Sequence, residues 1–160
     1  MPAIVIDSRI FGDMFGTSAM RALFSDRAMV QRYLDVVAAL ARAQGSIGVI
    51  PGEAAAAIAA VAQVERVDFD HLAKRTQIVG YPILPLVEQL ATWAGAAGRW
   101  CHWGATTQDI MDTADVLQLR DALDLVDEAA LVIAEHAHSH PPIADRAAEG
   151  QHFGGGVAAG

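Results

Sequence analysis

A long, regular apolar repeat in the last third of the chain places the strongest limit on its fold. The residues recur in alternating steps of three and four, and we call them the apolar seam: Val116, Leu119, Leu123, Val126, Ala130 and Ile133. This spacing keeps one stripe facing a neighbouring helix over several turns. A helix of about thirty residues would span about 45 Å, too long for a compact 160-residue globule to bury. We therefore expect a helix in a bundle that further sequence or other subunits complete.

Four shorter helices are predicted ahead of the seam, each with recognisable start or stop signals. Two of the expected ranges are 25–45 and 51–63. A short helix opens at Asp68 or Asp70 and ends near Gly80, and the next helix, with Pro82 in its first turn, runs through Trp93 toward Gly95 and Gly98. Ser25 suits an N-cap position, and Pro51 suits a first helical turn. Residues 1–24 are mixed in character and are expected to form an irregular arm or short helices. The predicted fold class is all-α.

Composition and charge exclude several classes of partner. The formal net charge is −8, whereas a nucleic-acid surface needs clustered Lys and Arg to displace counterions from phosphates. The same acidity disfavours an anionic membrane, and no apolar run is long enough for a transmembrane helix. The start, MPAIVIDSRIFGD, lacks the features of a signal peptide, so we expect a cytoplasmic protein. The apolar fraction of 53% suggests contacts between subunits.

Cysteine and histidine usage argues against a metal site. The single cysteine, Cys101, excludes an internal disulfide and a cysteine-based zinc site. His136, His138 and His140 are spaced by two, so only the first and last share a helix face, and no third ligand lies at a typical spacing. We expect these histidines to be exposed at a helix end.

The segment from His102 to Asp109, with the sequence HWGATTQD, contains the best candidate for a binding site. A glycine-containing turn followed by two hydroxyl residues at a helix start offers backbone N–H groups, a positive dipole end and two side-chain donors. Together these groups suit a carboxylate. The alternative is that Thr106 and Thr107 only cap the helix, which is the more common role for such residues. Spacing alone leaves both interpretations open.

Three stretches of the chain resemble the fumarase/aspartase superfamily. Residues 99–125 are similar to the first signature region of that superfamily, and GATTQDIMDTA at 104–114 is especially similar to its carboxymuconate cycloisomerase branch. Residues 25–44, beginning SDR, and VGYPILPLV at 79–87 resemble the same branch. The resemblance covers roughly residues 10–146.

The resemblance implies a mainly helical homotetramer whose long helices form a central bundle. It divides this chain into an N-terminal helical domain at 1–105, the start of the bundle domain at 106–140, and a divergent or truncated tail at 141–160. In the superfamily, each active site is assembled from three separated regions that different subunits contribute. The resemblance implies no metal and no organic cofactor.

The resemblance also implies roles for individual residues. Thr106 and Thr107, with Gln108 beside them, match the first region, where a hydroxyl pair binds a substrate carboxylate. Gly80, Tyr81 and Pro82 align with another substrate-lining stretch. The three residues of the first region, together with Gly80 and Tyr81, form most of the expected substrate-binding set.

His102 completes that set, with two alternative roles. It lies in the same loop as the threonines, between Trp100 and Trp103. It is either a group that faces or supports the substrate, or a histidine held in place by packing between the two tryptophans. The residues that move the proton in catalysis remain unidentified.

The implied reaction closes 3-carboxy-cis,cis-muconate to a lactone in protocatechuate breakdown, through a carbanion stabilised as an aci-carboxylate. Donors at a helix N-terminus suit this chemistry because negative charge grows on the bound carboxylate in the transition state. The expected ligand is a small polycarboxylate. An adenylosuccinate lyase-like enzyme is the second possibility, although Met14-Phe15 and residues 80–82 stand where those lyases carry phosphate ligands. A non-catalytic helical oligomerisation module is the third, because the seam is suited to pairing helices.

The tail departs from the family pattern. Pro142 to Arg146 fit the start of the second active-site region, but Ala147 and Ala148 stand where hydroxyl and aromatic or histidine residues are expected. His152 has no matching surroundings, so no catalytic role is carried over to it. The third region, a loop with a base-supplying serine, falls beyond residue 160. We therefore expect an incomplete chain, ended early or read out of frame, that is inactive by itself.

Overall fold

The computed structural model describes Ser8 and residues 10–139. This part of the chain is helical and contains no strand, which confirms the predicted all-α class. The α-helices are α1 Ser18–Leu23, α2 Asp26–Ser46, α3 Gly52–Val61, α4 Phe69–Val79, α5 Ile83–Trp93 and α6 Thr107–Ser139. Short 3-10 helices occupy Gly12–Met14, Val64–Arg66 and Gly95–Trp100.

Capping residues define the helix ends for which prediction and structure agree best. Ser25 accepts a hydrogen bond from the amide three residues later at the start of α2, and Asp68 does the same for α4. Gly80 ends α4 with a φ of +93°, and its amide donates to the Thr76 carbonyl at 2.7 Å. A side chain at that φ would be strained. The predictions for α2, α4 and α5 are confirmed to within one or two residues.

Two segments differ from expectation. Pro51 is the cap residue before α3 and does not belong to its first turn, and α3 ends at Val61, ahead of the predicted end. After α5 the chain forms the 3-10 helix Gly95–Trp100. A Cβ at Gly98 would lie 2.2 Å from the Ala91 carbonyl oxygen, so this segment lies directly against the backbone of α5 and requires glycine there.

The core forms where α2, α3 and α5 meet. Each helix contributes a fully buried side chain, namely Leu34, Ile58 and Leu90. The approach of α2 to α3 depends on small residues, since a Cβ at Gly45 would lie 2.6 Å from the Ala55 Cβ. The alanine-rich sequence of α3 therefore permits the two helices to lie close together.

The first part of α6 packs against the preceding helices, but through a stripe other than the apolar seam. The residues of this buried stripe recur every four positions: Ile110, Ala114, Gln118 and Ala122. Gln118 Nε2 donates a hydrogen bond to the Leu23 carbonyl. The seam residues are exposed, with Val126 at 51% and Ile133 at 68%. The expectation that the seam contacts other sequence or other subunits stays a prediction.

The chain divides into two compact units, residues 1–122 and 123–160. The first unit contains the whole buried core. In the second, residues 123–139 continue α6 and none of them is buried. The domain boundaries predicted at 105 and 140 stay a prediction.

Candidate functional site

The predicted anion-binding segment forms a turn at residues 101–104, followed by the start of α6. Two of its residues have left-handed backbone, His102 with φ +57° and Gly104 with φ +69°. On the α2 side, Gln44 Nε2 donates to the Trp103 carbonyl at 2.7 Å. This hydrogen bond fixes the turn to α2 and so sets where α6 begins.

Thr106 and Asp109 form a reciprocal cap at this helix start. An Asp109 carboxylate oxygen accepts from the Thr106 amide at 2.7 Å and from the Thr106 hydroxyl at 2.9 Å, and the Asp109 amide donates to Thr106 Oγ1 at 3.4 Å. The amide and hydroxyl bonds, together with the nearby charge of His102, lower the pKa of Asp109 below its ordinary value. The capping interpretation therefore applies to Thr106 in this chain.

Thr107 differs from its neighbour. It is half-buried, and no residue in the described part of the chain hydrogen-bonds its hydroxyl. The amides of the first helical turn have no intrahelical acceptor, which leaves donors beside this hydroxyl. Gln108 lies on the exposed side, where its amide nitrogen donates to the Asp112 carboxylate.

His102 is half-buried beside a tryptophan pair. The rings of Trp100 and Trp103 meet edge to face, with centroids 4.9 Å apart and planes at 62°. His102 Nε2 is enclosed, and among the described residues it has no hydrogen-bond partner. The geometry offers a packed position for the ring, and its role toward a substrate stays a prediction.

The second predicted segment connects α4 to α5. Gly80 is the left-handed end of α4, and Tyr81 is 38% exposed. Pro82 lines a cavity of about 670 Å³, which we call the α4 cavity. Most of its lining is apolar and includes Met29, Phe69, Leu72, Ala73, Pro82 and Met111.

Met111, one turn after Thr107 in α6, lines the same cavity as Pro82 of the second predicted segment. Met111 follows Thr107 by four residues, so the two side chains share a helix face. Met111 lines the α4 cavity together with Pro82. Pro82 is thus the member of the stretch at 80–82 that lines this cavity, and Thr107, Gly80 and Tyr81 are not among its lining residues.

The remaining titratable candidates do not add to this site. Burial raises the pKa of the Cys101 thiol to about 11, which keeps it protonated and unreactive. His136 and His138 are exposed, while His140, His152 and the tail lie outside the described residues. Within residues 10–139, no group of three or more His, Cys, Asp or Glu side chains could hold a metal ion. None of the helices described is long and apolar enough to cross a membrane.

A family model described as a lyase matches residues 14–140. The chain belongs to this lyase family. The match includes the turn, the start of α6 and the stretch at 80–82, so the predicted membership of the fumarase/aspartase superfamily is confirmed.

Lyase family members with different activities are similar to this chain. The 3-carboxy-cis,cis-muconate cycloisomerase of Pseudomonas putida is 46% identical over 75% of this chain and 29% of its own length. Trans-aconitate decarboxylase 1 of Mycosarcoma maydis is 39% identical over 91% of this chain and 31% of its own length. The crystal structure of the Pseudomonas putida 3-carboxy-cis,cis-muconate lactonizing enzyme has a TM-score of 0.72 and 47% identity, covering 76% of this chain and 28% of that chain. The chain thus spans less than a third of the length of these relatives.

Two contacts at this candidate site were missed by sequence reasoning. The Thr106-x-x-Asp109 spacing is a capping-box signal that could have identified the reciprocal cap. The contact between Gln44 and Trp103 joins residues 59 positions apart, and no local sequence pattern predicts it.

Proposed function

We propose that the chain supplies the first substrate-binding region of an enzyme that acts on a small polycarboxylate. The proposed reaction is lactonisation of 3-carboxy-cis,cis-muconate, in the cytoplasm, by a homotetramer that uses no metal or organic cofactor. The proposed binding residues are Thr106, Thr107, Gln108, His102, Gly80 and Tyr81.

The proposal depends on one observation, that the start of α6 already binds a carboxylate. The Asp109 side chain accepts hydrogen bonds from both the amide and the hydroxyl of Thr106. An organic acid presents the same group, and the Thr107 hydroxyl and the first-turn amides lie beside it. The positive end of the helix dipole favours a second negative group there.

The same donors suit the chemistry of carbanion formation. When a proton leaves the carbon next to a carboxylate, negative charge moves onto the carboxylate oxygens. Donors that are already oriented by the cap and by the Gln44 contact with the turn stabilise this charge without reorganising. The groups that move the proton would come from other regions of the complete enzyme.

The comparisons support the substrate class more strongly than the individual substrate. The names of two relatives, a carboxymuconate cycloisomerase and a trans-aconitate decarboxylase, both denote unsaturated polycarboxylic acids. Met14 and Phe15 are exposed and apolar at the positions where adenylosuccinate lyases are expected to bind phosphate. This composition favours a small acid over a nucleotide.

The deciding experiment grafts residues 14–140 of this chain onto the Pseudomonas putida cycloisomerase in place of its matching segment. We expect the chimera to lactonise 3-carboxy-cis,cis-muconate and the 160-residue chain alone to be inactive. Thr107→Val should lower kcat/KM by about 10²-fold, the usual effect of removing one transition-state donor. Thr107→Ser should retain most of the activity.

Thr92→Val is the matched control, because Thr92 is an exposed helical threonine whose hydroxyl donates to the Glu88 carbonyl. It should change kcat/KM less than twofold. An active chimera that is indifferent to Thr107→Val would contradict the proposal. Parallel assays with trans-aconitate and adenylosuccinate would show whether another reaction of the superfamily fits better.

A non-catalytic oligomerisation module is favoured by one observation, the exposed apolar seam. If this alternative holds, the 160-residue chain should associate in sedimentation experiments. Replacing both Thr106 and Thr107 with alanine should leave that association unchanged. A stable monomer would exclude it.

A further inference from the structure

The turn that precedes α6 has a backbone conformation that needs support from outside the turn. Trp103 lies between two residues with left-handed backbone, His102 at φ +57° and Gly104 at φ +69°. Glycine adopts this region readily, whereas other residues rarely do. In the described part of the chain, His102 is the one non-glycine residue with a positive φ. Contacts with neighbouring elements must therefore hold the turn in this shape.

Gln44 supplies such a contact through its side-chain amide. Nε2 donates to the carbonyl of Trp103, in the middle of the turn, at 2.7 Å. The oxygen of the same amide, Oε1, is enclosed and accepts no hydrogen bond from the residues that the structure describes. An enclosed acceptor without a partner costs stability, and a methionine of similar length would avoid that cost. The useful contribution of glutamine at this position is therefore its N–H donor.

The backbone at Gln44 is held by its surroundings. Its main-chain carbonyl accepts from the amides of Val49 at 2.9 Å and Ile50 at 3.5 Å, and the Ile50 side chain is buried. The next residue, Gly45, lies so close to α3 that a Cβ there would be 2.6 Å from the Ala55 Cβ. The Gln44 side chain thus extends from a fixed part of α2, and its hydrogen bond ties the turn to the core of the first unit.

We propose that Gln44 is a positioning residue for the carboxylate-binding groups at the start of α6. This inference rests on the proposed function and adds a residue outside the proposed binding set. Thr106 and Thr107 follow the Trp103 carbonyl within four positions, so a displaced turn displaces their donors. A misplacement of about 1 Å can lower a rate by about 10²-fold. Because oriented donors matter most where negative charge grows, loss of the Gln44 donor should affect kcat far more than KM.

The test uses the chimeric cycloisomerase that carries residues 14–140 of this chain. Gln44→Met keeps the length of the side chain and removes the donor, so it should lower kcat for lactonisation about tenfold and change KM by less than about twofold. Gln44→Glu places a carboxylate oxygen against the Trp103 carbonyl and should lower kcat further. Gln44→Lys restores an N–H donor and gives up only the unpartnered oxygen, so it should recover about half of the original kcat or more.

Gln31→Met is the matched control, because Gln31 lies on the same helix and its hydrogen bonds do not involve the turn. Its amide nitrogen donates to Asp35 at 2.8 Å and to the Ala62 carbonyl at 3.3 Å, and its oxygen accepts from the Val64 amide at 2.8 Å. Gln31→Met should lower the thermal stability of the 160-residue chain at least as much as Gln44→Met does, since it removes more hydrogen bonds. It should leave kcat of the chimera within about twofold of the original.

Amide hydrogen exchange in the 160-residue chain, followed by NMR, gives a readout that does not depend on activity. Gln44→Met should speed exchange of the Thr106 and Asp109 amides about threefold or more, because the cap that protects them forms only when the turn is in place. The Val49 amide, which is bonded to the main chain of Gln44, should stay protected. Gln31→Met should leave the Thr106 and Asp109 amides unchanged.

The outcomes distinguish this inference from the proposed function. If Thr107→Val lowers kcat/KM but Gln44→Met leaves kcat and the Thr106 amide unchanged, the positioning role is overturned and the proposed function stands. The positioning role is also overturned if Gln31→Met lowers kcat as much as Gln44→Met, or if Gln44→Lys is no more active than Gln44→Met. If the chimera does not lactonise, or is indifferent to Thr107→Val, the proposed function is refuted and the role of Gln44 is refuted with it.

Discussion

In α6 the buried stripe includes small side chains, and most of the larger apolar ones are exposed. The stripe that packs within the chain is built mainly from small or polar residues, Ile110, Ala114, Gln118 and Ala122. The apolar seam is built mainly from Leu, Val and Ile, and its large side chains are more than half exposed. Small residues suit a face where backbones approach closely. Large aliphatic residues left in solvent are typical of a surface that another molecule covers.

The comparison also separates the two functions of this helix. Its first turns contain the proposed carboxylate-binding residues, and the buried stripe holds those turns against the core of the first unit. Residues 123–139 have no buried member, and an isolated helix of that length is only marginally stable in water. Substitutions on the two stripes should therefore have unequal effects, in the order that follows.

The largest expected effect comes from the core that supports the buried stripe. Leu34 is fully buried on α2, and Leu34→Ala should lower the free energy of unfolding by about 2–5 kcal/mol through lost burial and a residual cavity. Urea unfolding followed by near-UV circular dichroism measures this change. A loss below about 1 kcal/mol would mean that the core is loosely packed.

The next effect tests the polar member of the buried stripe. Gln118→Leu removes the donor to the Leu23 carbonyl and should cost about 1 kcal/mol, since a partly buried acceptor loses its hydrogen-bond partner. Gln108→Leu is the control, because Gln108 is exposed and donates a hydrogen bond within α6, to Asp112. Its cost should be about 0.5 kcal/mol or less. If the two substitutions lowered the free energy of unfolding equally, the hydrogen bond of Gln118 would not stabilise the buried stripe.

An effect of similar size is expected at the cap that precedes both stripes. Thr106→Ala removes the hydroxyl that pairs with Asp109 and should cost about 1 kcal/mol. Thermal unfolding at neutral pH measures it. Thr113→Ala, which removes a hydroxyl bonded to the Asp109 carbonyl within the helix, should cost less because it does not serve the cap. A larger loss for Thr113→Ala would contradict this assignment.

The cap should also show a defined pH dependence. The pKa of Asp109 in the folded chain is lowered by its hydrogen bonds to Thr106, while the unfolded value is about 3.9. Its contribution to stability is therefore present above about pH 3.9 and is lost as the pH falls through the folded value. Asp109→Asn should be less stable than the wild type at neutral pH and approach it at acidic pH. If the stability difference between the wild type and Asp109→Asn grew as the pH fell, the prediction would be contradicted.

The smallest effect on the free chain is expected at the seam. Leu123 is 63% exposed, so Leu123→Ala should change the free energy of unfolding by about 0.5 kcal/mol or less. In the chimeric cycloisomerase the same substitution should weaken subunit assembly, which sedimentation velocity would measure. If assembly is unchanged while the free chain is destabilised, the seam is an internal contact after all.

Local signals predicted much of the fold. Ser25, Asp68 and Gly80 define helix ends through their own chemistry, and the structure places each of them at the expected end. The buried stripe was missed because alanine and glutamine do not identify a core face, and because the partner of Gln118 lies 95 residues away. Gly98 was missed for a related reason, since its need for glycine depends on contact with Ala91.

The candidate site was predicted only in part. The sequence identifies two adjacent hydroxyls at a helix start, but it does not distinguish the one that bonds to Asp109 from the one that stays available. In the folded chain the Thr106 hydroxyl donates to Asp109, and among the described residues none hydrogen-bonds the Thr107 hydroxyl. The α4 cavity is lined by side chains from α2, α4 and α6. These helices are far apart in the sequence, so no local pattern predicts the cavity.

The charge of α6 has a consequence for handling the protein. The helix carries eight acidic residues and a single arginine, so two copies aligned along their seams repel each other electrostatically while their aliphatic side chains attract. Ionic strength of 0.1 M reduces the range of that repulsion to about 10 Å, and the attraction between apolar groups persists in salt. Added salt should therefore promote pairing of these helices, and dilute buffers should favour their separation.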